Sequence, residues 1–327
     1  MDSELTPLKS RRDFSRERLA HLTSRLQAVQ ELKDCTGLCV YATGSYARGE
    51  ASTHSDIDLF FVHAGSVEKS MSNLDRMRVF ARVIDIGAEL HFPTFSNDGQ
   101  FLDVLYADEL LNMLGGPADD YHNYFTARML LLLESVSLVN EHLYRHILDQ
   151  VVDSYYRDYP DHAEDFRPVF LINDVIRFWK TLCLNYEHRR NKPEHDKLKK
   201  RKQQVKNFKL KFSRLMSCFG TIVAVCAAEG PVSRDFIIGL TDKVPLARFR
   251  DAVADFNDLK PIVASVVDDY EWFLNKTRLS AEELTALFDD SEQKTFLFRR
   301  ADEFGFKVFE VLDYVAKRNG YSRYLVM

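Results

Sequence analysis

Residues 44–59 read GSYARGEASTHSDIDL, a stretch that joins a Gly-Ser turn to two aspartates separated by one apolar residue. The β-favouring run GLCVYAT precedes the turn, and DIDLFFVHA reads as a second strand. Because side chains alternate between the two faces of a strand, Asp56 and Asp58 are expected on one face, with Ile57 and Leu59 directed into the core. The pattern therefore predicts two carboxylates at a separation that suits metal ions.

The residue types in this stretch fit a divalent cation and a polyphosphate. Two carboxylates with few competing ligands suit Mg²⁺, which keeps water and completes its shell with substrate phosphates. Gly44 allows the backbone to approach phosphate oxygens, and the Ser45 hydroxyl can donate to them. Two Mg²⁺ ions are expected, with Mn²⁺ as a substitute, to orient an attacking hydroxyl and neutralise the leaving pyrophosphate.

The Gly-Ser turn, the Arg48-Gly49 pair and SDIDL together resemble the signature of minimal and GlnD-like (DUF294-type) nucleotidyltransferases of the DNA polymerase β superfamily. The specific likeness covers residues 38–62, and a looser one continues from Gly115 to Ser135. The resemblance implies an α+β fold with a small mixed sheet and a nucleoside triphosphate substrate, ATP or dATP. It also implies phosphate or nucleotide contacts from Gly44, Ser45 and Arg48.

That superfamily adds a third carboxylate from a later strand. The stretch GAELHFPTF, residues 87–95, is predicted to be this strand, and Glu89 is the candidate third metal ligand and catalytic residue. Asp85 and Asp103 are alternatives, and the aspartate pair alone is a further one. His91 shares the side of Glu89 by alternation and either orients the site or is structural.

The chain outside this stretch predicts a small α/β unit followed by a helical one. Apolar residues at helical spacing indicate an N-terminal helix, and the regions after Leu110 read as helical. Ser280 with Glu283 forms a capping box, and Gly320 is placed to end the last helix. The predicted divisions are an N-terminal helix at 1–35, a nucleotidyltransferase core at 36–112, a helical domain at 113–320 and a C-terminal tail at 321–327.

The helical half is expected to supply the other wall of the nucleotide site. Asn173, Arg177 and Lys180 recur at helical spacing and either face solvent or contact base, sugar or phosphate. Related nucleotidyltransferases use lysines of their second lobe on the γ-phosphate, and Lys209 is preferred to Lys206 for this role.

A strongly basic span runs from Arg189 to Lys211, although the whole chain has a net charge of −5. It is either a solvated loop between helices or a surface that attracts nucleotide or a nucleic-acid product. The aromatic residues Trp179 and Tyr186 before it either stack on a base or belong to the core.

The composition is that of an ordinary globular protein, with 46% hydrophobic and 28% charged residues in a chain of 327. Its five cysteines lack CxxC spacing, so neither a disulfide framework nor a zinc site is expected. No apolar run approaches the roughly 20 residues that span a bilayer. A cytoplasmic protein without direct membrane insertion is predicted.

The motif does not specify the acceptor. The chain is also similar to stand-alone Hailong-type nucleotidyltransferases of anti-phage defence. That likeness implies oligodeoxyadenylate synthesis from dATP as a signal for a membrane effector protein, primed by a C-terminal tyrosine. Tyr324 is the preferred primer and Tyr321 the second choice. The alternatives are transfer of AMP or UMP to a protein in a regulatory or toxin–antitoxin system, and a nucleotide sensor without turnover.

Overall fold

A computed structural model describes residues 6–66, 71–95, 99, 102–191 and 196–326. The chain divides into two compact units, Met1–Arg157 and Asp158–Met327. The first combines helices with a small sheet, and the described part of the second is helical. The predicted α+β fold class is confirmed.

The sheet of the first unit has four strands in the order β3-β2-β1-β4. The central strand β1 is antiparallel to both β2 and β4, whereas β3 is parallel to β2, so the sheet is mixed. The strands are β1 (Leu38–Thr43), β2 (Asp58–His63), β3 (Val104–Tyr106) and β4 (Val136–Val139).

Helices cover both faces of this sheet. Apolar residues of α1, α2 and α4 pack with Leu59 and Phe61 in one buried cluster. On the opposite face, Tyr144 of α8 contacts Tyr41 with ring centroids 5.7 Å apart. The helices are α1 (Pro7–Ala28), α2 (Gln30–Asp34), α3 (Gly44–Ala47), α4 (Asn73–Glu89), α5 (Ala107–Asn112), α6 (Pro117–Tyr121), α7 (Tyr124–Leu133) and α8 (Glu141–Ser154).

The strand predicted at residues 87–95 is wrong. Helix α4 continues to Glu89, because Val79, Val83 and Ile86 recur at helical spacing and are buried against the sheet. The third strand along the chain is instead β3, which has only three residues. A strand this short carries no detectable period-2 pattern.

The purely helical interpretation of the chain after Leu110 is also wrong at one place. Strand β4 lies between α7 and α8 and pairs with β1. Residues 113–157 therefore belong to the first compact unit, and the unit boundary lies at 157/158 rather than at the predicted 112/113.

The second unit is built around long helices with an aromatic core. The Phe212 ring stacks on Phe273 and on Phe304, with both pairs of centroids 4.6 Å apart. The elements are α9 (Val169–Arg190), α10 (Lys197–Lys209), a π-helical turn (Leu210–Arg214), α11 (Leu215–Ala227), α12 (Arg234–Thr241), α13 (Pro245–Ala252), α14 (Lys260–Lys276), α15 (Ala281–Ala286), α16 (Ser291–Arg318) and α17 (Ser322–Val326), with 3₁₀ turns at Tyr159–Asp161 and Asn257–Leu259.

Two predicted helix-end signals are present. Ser280 and Glu283 form the reciprocal capping box of α15. Gly320 adopts φ +73° immediately after Asn319, the C-cap of α16. The segment beyond Gly320 is not a free tail, because residues 322–326 form α17 and the Tyr321 side chain is buried.

One continuous helical stretch, Lys197–Ala227, is long and apolar enough by composition to cross a bilayer. Its apolar window is 72% buried inside the protein, which is typical of a core helix.

Candidate active site

The strand register brings the glycine turn to the second aspartate. Strands β1 and β2 are antiparallel with Thr43 opposite Asp58, so the residue after β1, Gly44, lies beside the Asp58 carboxylate. Gly44 has φ +70°, and a Cβ at this position would overlap Asp58 Oδ2 and come within 3.3 Å of Asp58 Cγ. Only glycine fits both the backbone conformation and the space.

The predicted placement of the two aspartates agrees with their burial. Exposure alternates along residues 56–60: Asp56 and Asp58 are partly exposed, whereas Ile57 and Leu59 are 4% and 8% exposed and belong to the core cluster. The regular strand begins only at Asp58, so Asp56 precedes it.

Two hydrogen bonds between serines stabilise the segment that connects the turn to the aspartates. The Ser55 N–H donates to the Ser52 carbonyl at 3.0 Å, and the Ser52 N–H donates to Ser55 Oγ at 3.0 Å. This serine turn directs the chain back toward β2. The motif is therefore a hairpin connection with the glycine turn at one end and the two aspartates at the other.

Helix α1 holds the start of this loop. Arg11 Nη1 donates to the Glu50 carbonyl at 3.2 Å, and the Ala51 N–H donates to Ser15 Oγ at 3.0 Å. Arg11 and Ser15 lie on the buried side of α1. Sequence reasoning missed both residues, because a polar residue on a helix does not reveal a backbone partner far along the chain.

Tyr46 ties the turn to α1 from the inside. Its ring meets Phe92 edge-on at 5.4 Å, and the Arg18 guanidinium lies 4.1 Å from the Phe92 centroid. Burial raises the pKa of Tyr46, a hydrogen bond and positive charge from Arg18 oppose the rise, and the negative charge of Asp56 adds to it. The phenol therefore lies within electrostatic reach of the first aspartate.

Arg48 is engaged inside the protein. Its side chain is 7% exposed and pairs with Glu50 at 2.7 Å and Glu134 at 2.9 Å. Two carboxylates thus neutralise the guanidinium and link the motif loop to the end of α7. The geometry assigns Arg48 to stabilising the loop, in place of the nucleotide contact predicted for it.

Glu89 lies away from the face that carries Asp58. Glu89 ends α4, is exposed and pairs with Arg25. Asp85 lies on the exposed side of the same helix, and α4 packs on the sheet face opposite to Asp58. His91 is exposed in the turn after α4, at φ 56°, so the predicted strand that would have aligned it with the site does not exist.

Strand pairing favours Asp103 over Glu89. It directly precedes β3, in which Val104 pairs with Phe61 of β2, and both of these are core residues. Alternation places Asp103 beside Phe60, on the face that carries Asp58. The Asp103 side chain is 67% exposed and pairs at 3.3 Å with Arg76 of α4, the helix on the opposite face, so it lies at the edge of the sheet.

A buried hydroxyl accompanies the site. Thr43 is 1% exposed, and its Oγ1 has no hydrogen-bond partner among the described residues. Its register partner is Asp58, so both side chains project from the same face of the sheet. The sequence gives no sign of this hydroxyl, because a threonine that ends a strand is common.

The donor set fits a hard divalent cation with several open positions. Among the described residues, no group of three or more His, Cys, Asp or Glu side chains is arranged to hold a metal. Asp56 and Asp58 are the two carboxylates that the motif loop supplies, and Mg²⁺ is commonly bound by one or two carboxylates together with water and substrate phosphates.

The residues predicted for the second wall lie in the second unit, on α9 and α10. Asn173 is half-buried, Lys180 and Lys209 are exposed, and Arg177 is 3.7 Å from the buried Asp174. Their roles in nucleotide binding stay predictions.

The two tyrosines beyond Gly320 differ. Tyr321 is 1% exposed, Arg167 lies 4.6 Å from its ring centroid, and burial raises the pKa of its phenol to about 12. An inaccessible phenol cannot accept a nucleotide in this conformation, so Tyr321 is withdrawn as a primer. Tyr324 is half-buried in α17, and Arg323 Nη2 donates to its hydroxyl at 2.5 Å.

Comparison with known families agrees with this geometry. Residues 25–113 match the family model described as a nucleotidyltransferase domain. The matched segment contains the glycine turn, both aspartates and strands β1 to β3. No curated protein and no solved structure matches the chain. Residues 25–113 are thus similar to a nucleotidyltransferase domain. The GlnD-like and Hailong-type likenesses stay predictions.

Proposed function

We propose that this chain is a Mg²⁺-dependent enzyme that transfers a nucleoside monophosphate from a nucleoside triphosphate to a hydroxyl and releases pyrophosphate. The observation that carries the proposal is the contact between the Gly44 backbone and the Asp58 carboxylate. This contact brings together the glycine turn, to which we assign the phosphates, and the Asp58 carboxylate, to which we assign the metal.

Each part of the motif has a role in this reaction. Asp56 and Asp58 hold the metal, and the Gly44 backbone with the Ser45 hydroxyl binds the phosphates. A divalent cation held by these two carboxylates would supply positive charge against the negative charge of the attacking and leaving oxygens. Asp103 is the third carboxylate, because it shares the sheet face of Asp58, and it takes the role first predicted for Glu89.

The acceptor that we favour is a nucleic-acid end, extended without a template. The support is α10, which contains seven basic residues and no acidic one. The basic residues are Lys197, Lys199, Lys200, Arg201, Lys202, Lys206 and Lys209. The preference for dATP, the anti-phage role and the membrane effector rest on the resemblance and stay predictions. Transfer of AMP or UMP to a protein is the alternative, and it predicts labelling of a partner.

The test is to incubate the purified full chain with each of the NTPs and dNTPs and Mg²⁺, and to measure pyrophosphate release and product mass. We expect pyrophosphate release that requires the divalent cation, together with oligomers spaced by one nucleotide. Binding without pyrophosphate release from any nucleotide would identify a sensor. A labelled partner protein without oligomers would identify a protein nucleotidyltransferase.

Priming from within the chain leaves a separate signature. We expect a ladder of nucleotide additions on the intact protein that is lost in Tyr324→Phe and kept in Tyr321→Phe, because Tyr324 is partly exposed whereas Tyr321 is buried. A ladder that survives Tyr324→Phe, or free oligomer without any protein adduct, contradicts priming by Tyr324.

A further inference from the structure

The second unit contains an open groove of about 820 Å³ between α9 and α16. Its walls carry five aromatic side chains, and we call it the aromatic groove after them: Trp179, Tyr186, Phe219, Phe306 and Phe309. Its volume lies in the range of ligand sites in proteins. Phe306 and Phe309 are 69% and 59% exposed, so two large aromatic rings remain largely open to solvent.

Few polar residues line the groove, and they form hydrogen bonds or ion pairs within the protein. Asn207 hydrogen-bonds the hydroxyl of Tyr186. Lys211 pairs with Asp302, and Arg190 pairs with Glu187 at 3.2 Å, so the local charges cancel. A mainly apolar site with amide and phenol groups at its edge suits a flat ring that also forms hydrogen bonds.

The floor of the groove contains the π-helical turn. Leu210 and Lys211 of the turn line it, together with Leu215 at the start of α11. A π turn interrupts an otherwise continuous helix and is frequently found at functional sites. It directs Lys211 toward Asp302 of α16.

Positive charge lies beside the groove, on α10. Asn207 of α10 lines the groove, and Lys206 and Lys209 flank it in sequence, both with exposed side chains. Lys199, Lys200 and Lys202 are exposed on the same helix. Aromatic side chains beside a basic surface are the combination that binds single-stranded nucleic acid, since bases stack on the rings and phosphates meet the cations.

We propose that the aromatic groove binds single-stranded nucleic acid, with unpaired bases on its rings and phosphates on α10. The proposal depends on the proposed transferase function only in naming this strand as the acceptor or product. A docked protein would also cover Phe306 and Phe309, but it would not require the seven basic residues of α10. The charge favours a polyanion.

The test is binding of a fluorescein-labelled DNA strand of about twelve nucleotides, a length within the usual site sizes, to the full chain without nucleotide or Mg²⁺. We expect the strand to bind and its duplex to bind much more weakly. Phe306→Ala combined with Phe309→Ala should raise the Kd about tenfold or more, because stacking platforms are lost. Phe296→Ala, another exposed phenylalanine of α16 outside the groove, is the matched control and should leave the Kd unchanged.

Separate experiments measure the contribution of the α10 lysines and the contact of the bases with Trp179. Replacing Lys199, Lys200 and Lys202 by Gln should make the salt dependence shallower, by about 0.7 in log–log slope for each lost phosphate contact. The strand should quench the fluorescence of Trp179 and not of Trp272, which packs on Phe208 and Phe212. Trp179→Leu should therefore abolish the quenching, and Trp272→Phe should retain it.

Several outcomes would overturn the inference: equal affinity for strand and duplex, unchanged binding in the double phenylalanine variant, or no strand binding while this surface associates with a protein. The transferase proposal is judged apart, by pyrophosphate release from the same wild-type protein. If pyrophosphate is released but the strand does not bind at the groove, the groove proposal is refuted. If the strand binds but no pyrophosphate is released, the transferase proposal is refuted.

Discussion

Asp58→Asn is expected to lower the rate of nucleotidyl transfer by about 10²- to 10³-fold or more, because a neutral amide cannot neutralise the metal as a carboxylate does. Asp56→Asn should have an effect of the same order. The fold should survive, since both side chains are partly exposed and the neighbouring core residues Ile57 and Leu59 are unchanged. Pyrophosphate release at saturating nucleotide and Mg²⁺ measures the effect.

The controls for this result use other carboxylates of the same unit. Asp85→Asn, on the exposed side of α4, should leave the rate unchanged. Asp103→Asn should reduce it strongly, and Glu89→Gln should not, because only Asp103 shares the sheet face of Asp58. Near-normal turnover in Asp58→Asn would refute the metal site. A larger loss of activity in Glu89→Gln than in Asp103→Asn would refute Asp103 as the third carboxylate.

Gly44→Ala is expected to abolish most of the activity while the chain still folds. The new Cβ would overlap the Asp58 carboxylate, and alanine at φ +70° adds about 1–2 kcal/mol of backbone strain. The carboxylate must move away, and with it the position of the metal. The rate of pyrophosphate release and the midpoint of thermal unfolding should be measured together.

Gly49→Ala is the control that distinguishes backbone strain from overlap with the Asp58 carboxylate. Gly49 also has positive φ, at +69°, but its added Cβ would meet Arg12 only at ordinary contact distances of 3.6 Å and beyond. Both variants should lose stability, whereas only Gly44→Ala should lose activity by about 10²-fold or more, the range found when one electrostatic contact is removed from an active site. Equal loss of activity in the two variants would show that the contact with Asp58 does not matter.

Local chemistry is where sequence reasoning succeeded. The turn and the aspartates were recognisable because a glycine, a hydroxyl and two alternating carboxylates are each required by the same chemistry over a short stretch. The burial of Ile57 and Leu59, the capping box at Ser280 and the helix stop at Gly320 followed from patterns of a few residues. Such patterns need no distant partner.

The errors arose where pairing and burial act between distant residues. Strands β3 and β4 have three and four residues, too few for a period, and they exist because β2 and β1 supply their hydrogen bonds. Glu89 was preferred because its segment looked extended, yet burial of the apolar face of α4 makes it helical. The family resemblance implied a nucleotide contact for Arg48, whereas the fold pairs its guanidinium with Glu50 and Glu134.

The sequence by itself determined the likeness to a nucleotidyltransferase domain and the alternation of Asp56 and Asp58 with core residues, since those depend on which groups stand side by side along the chain. Only the tertiary structure decided the helical conformation at Glu89, the burial of Tyr321 and the formation of the aromatic groove. Each of these depends on which face of a sheet or helix meets another element, and hydrogen bonding and apolar burial between distant segments settle that choice.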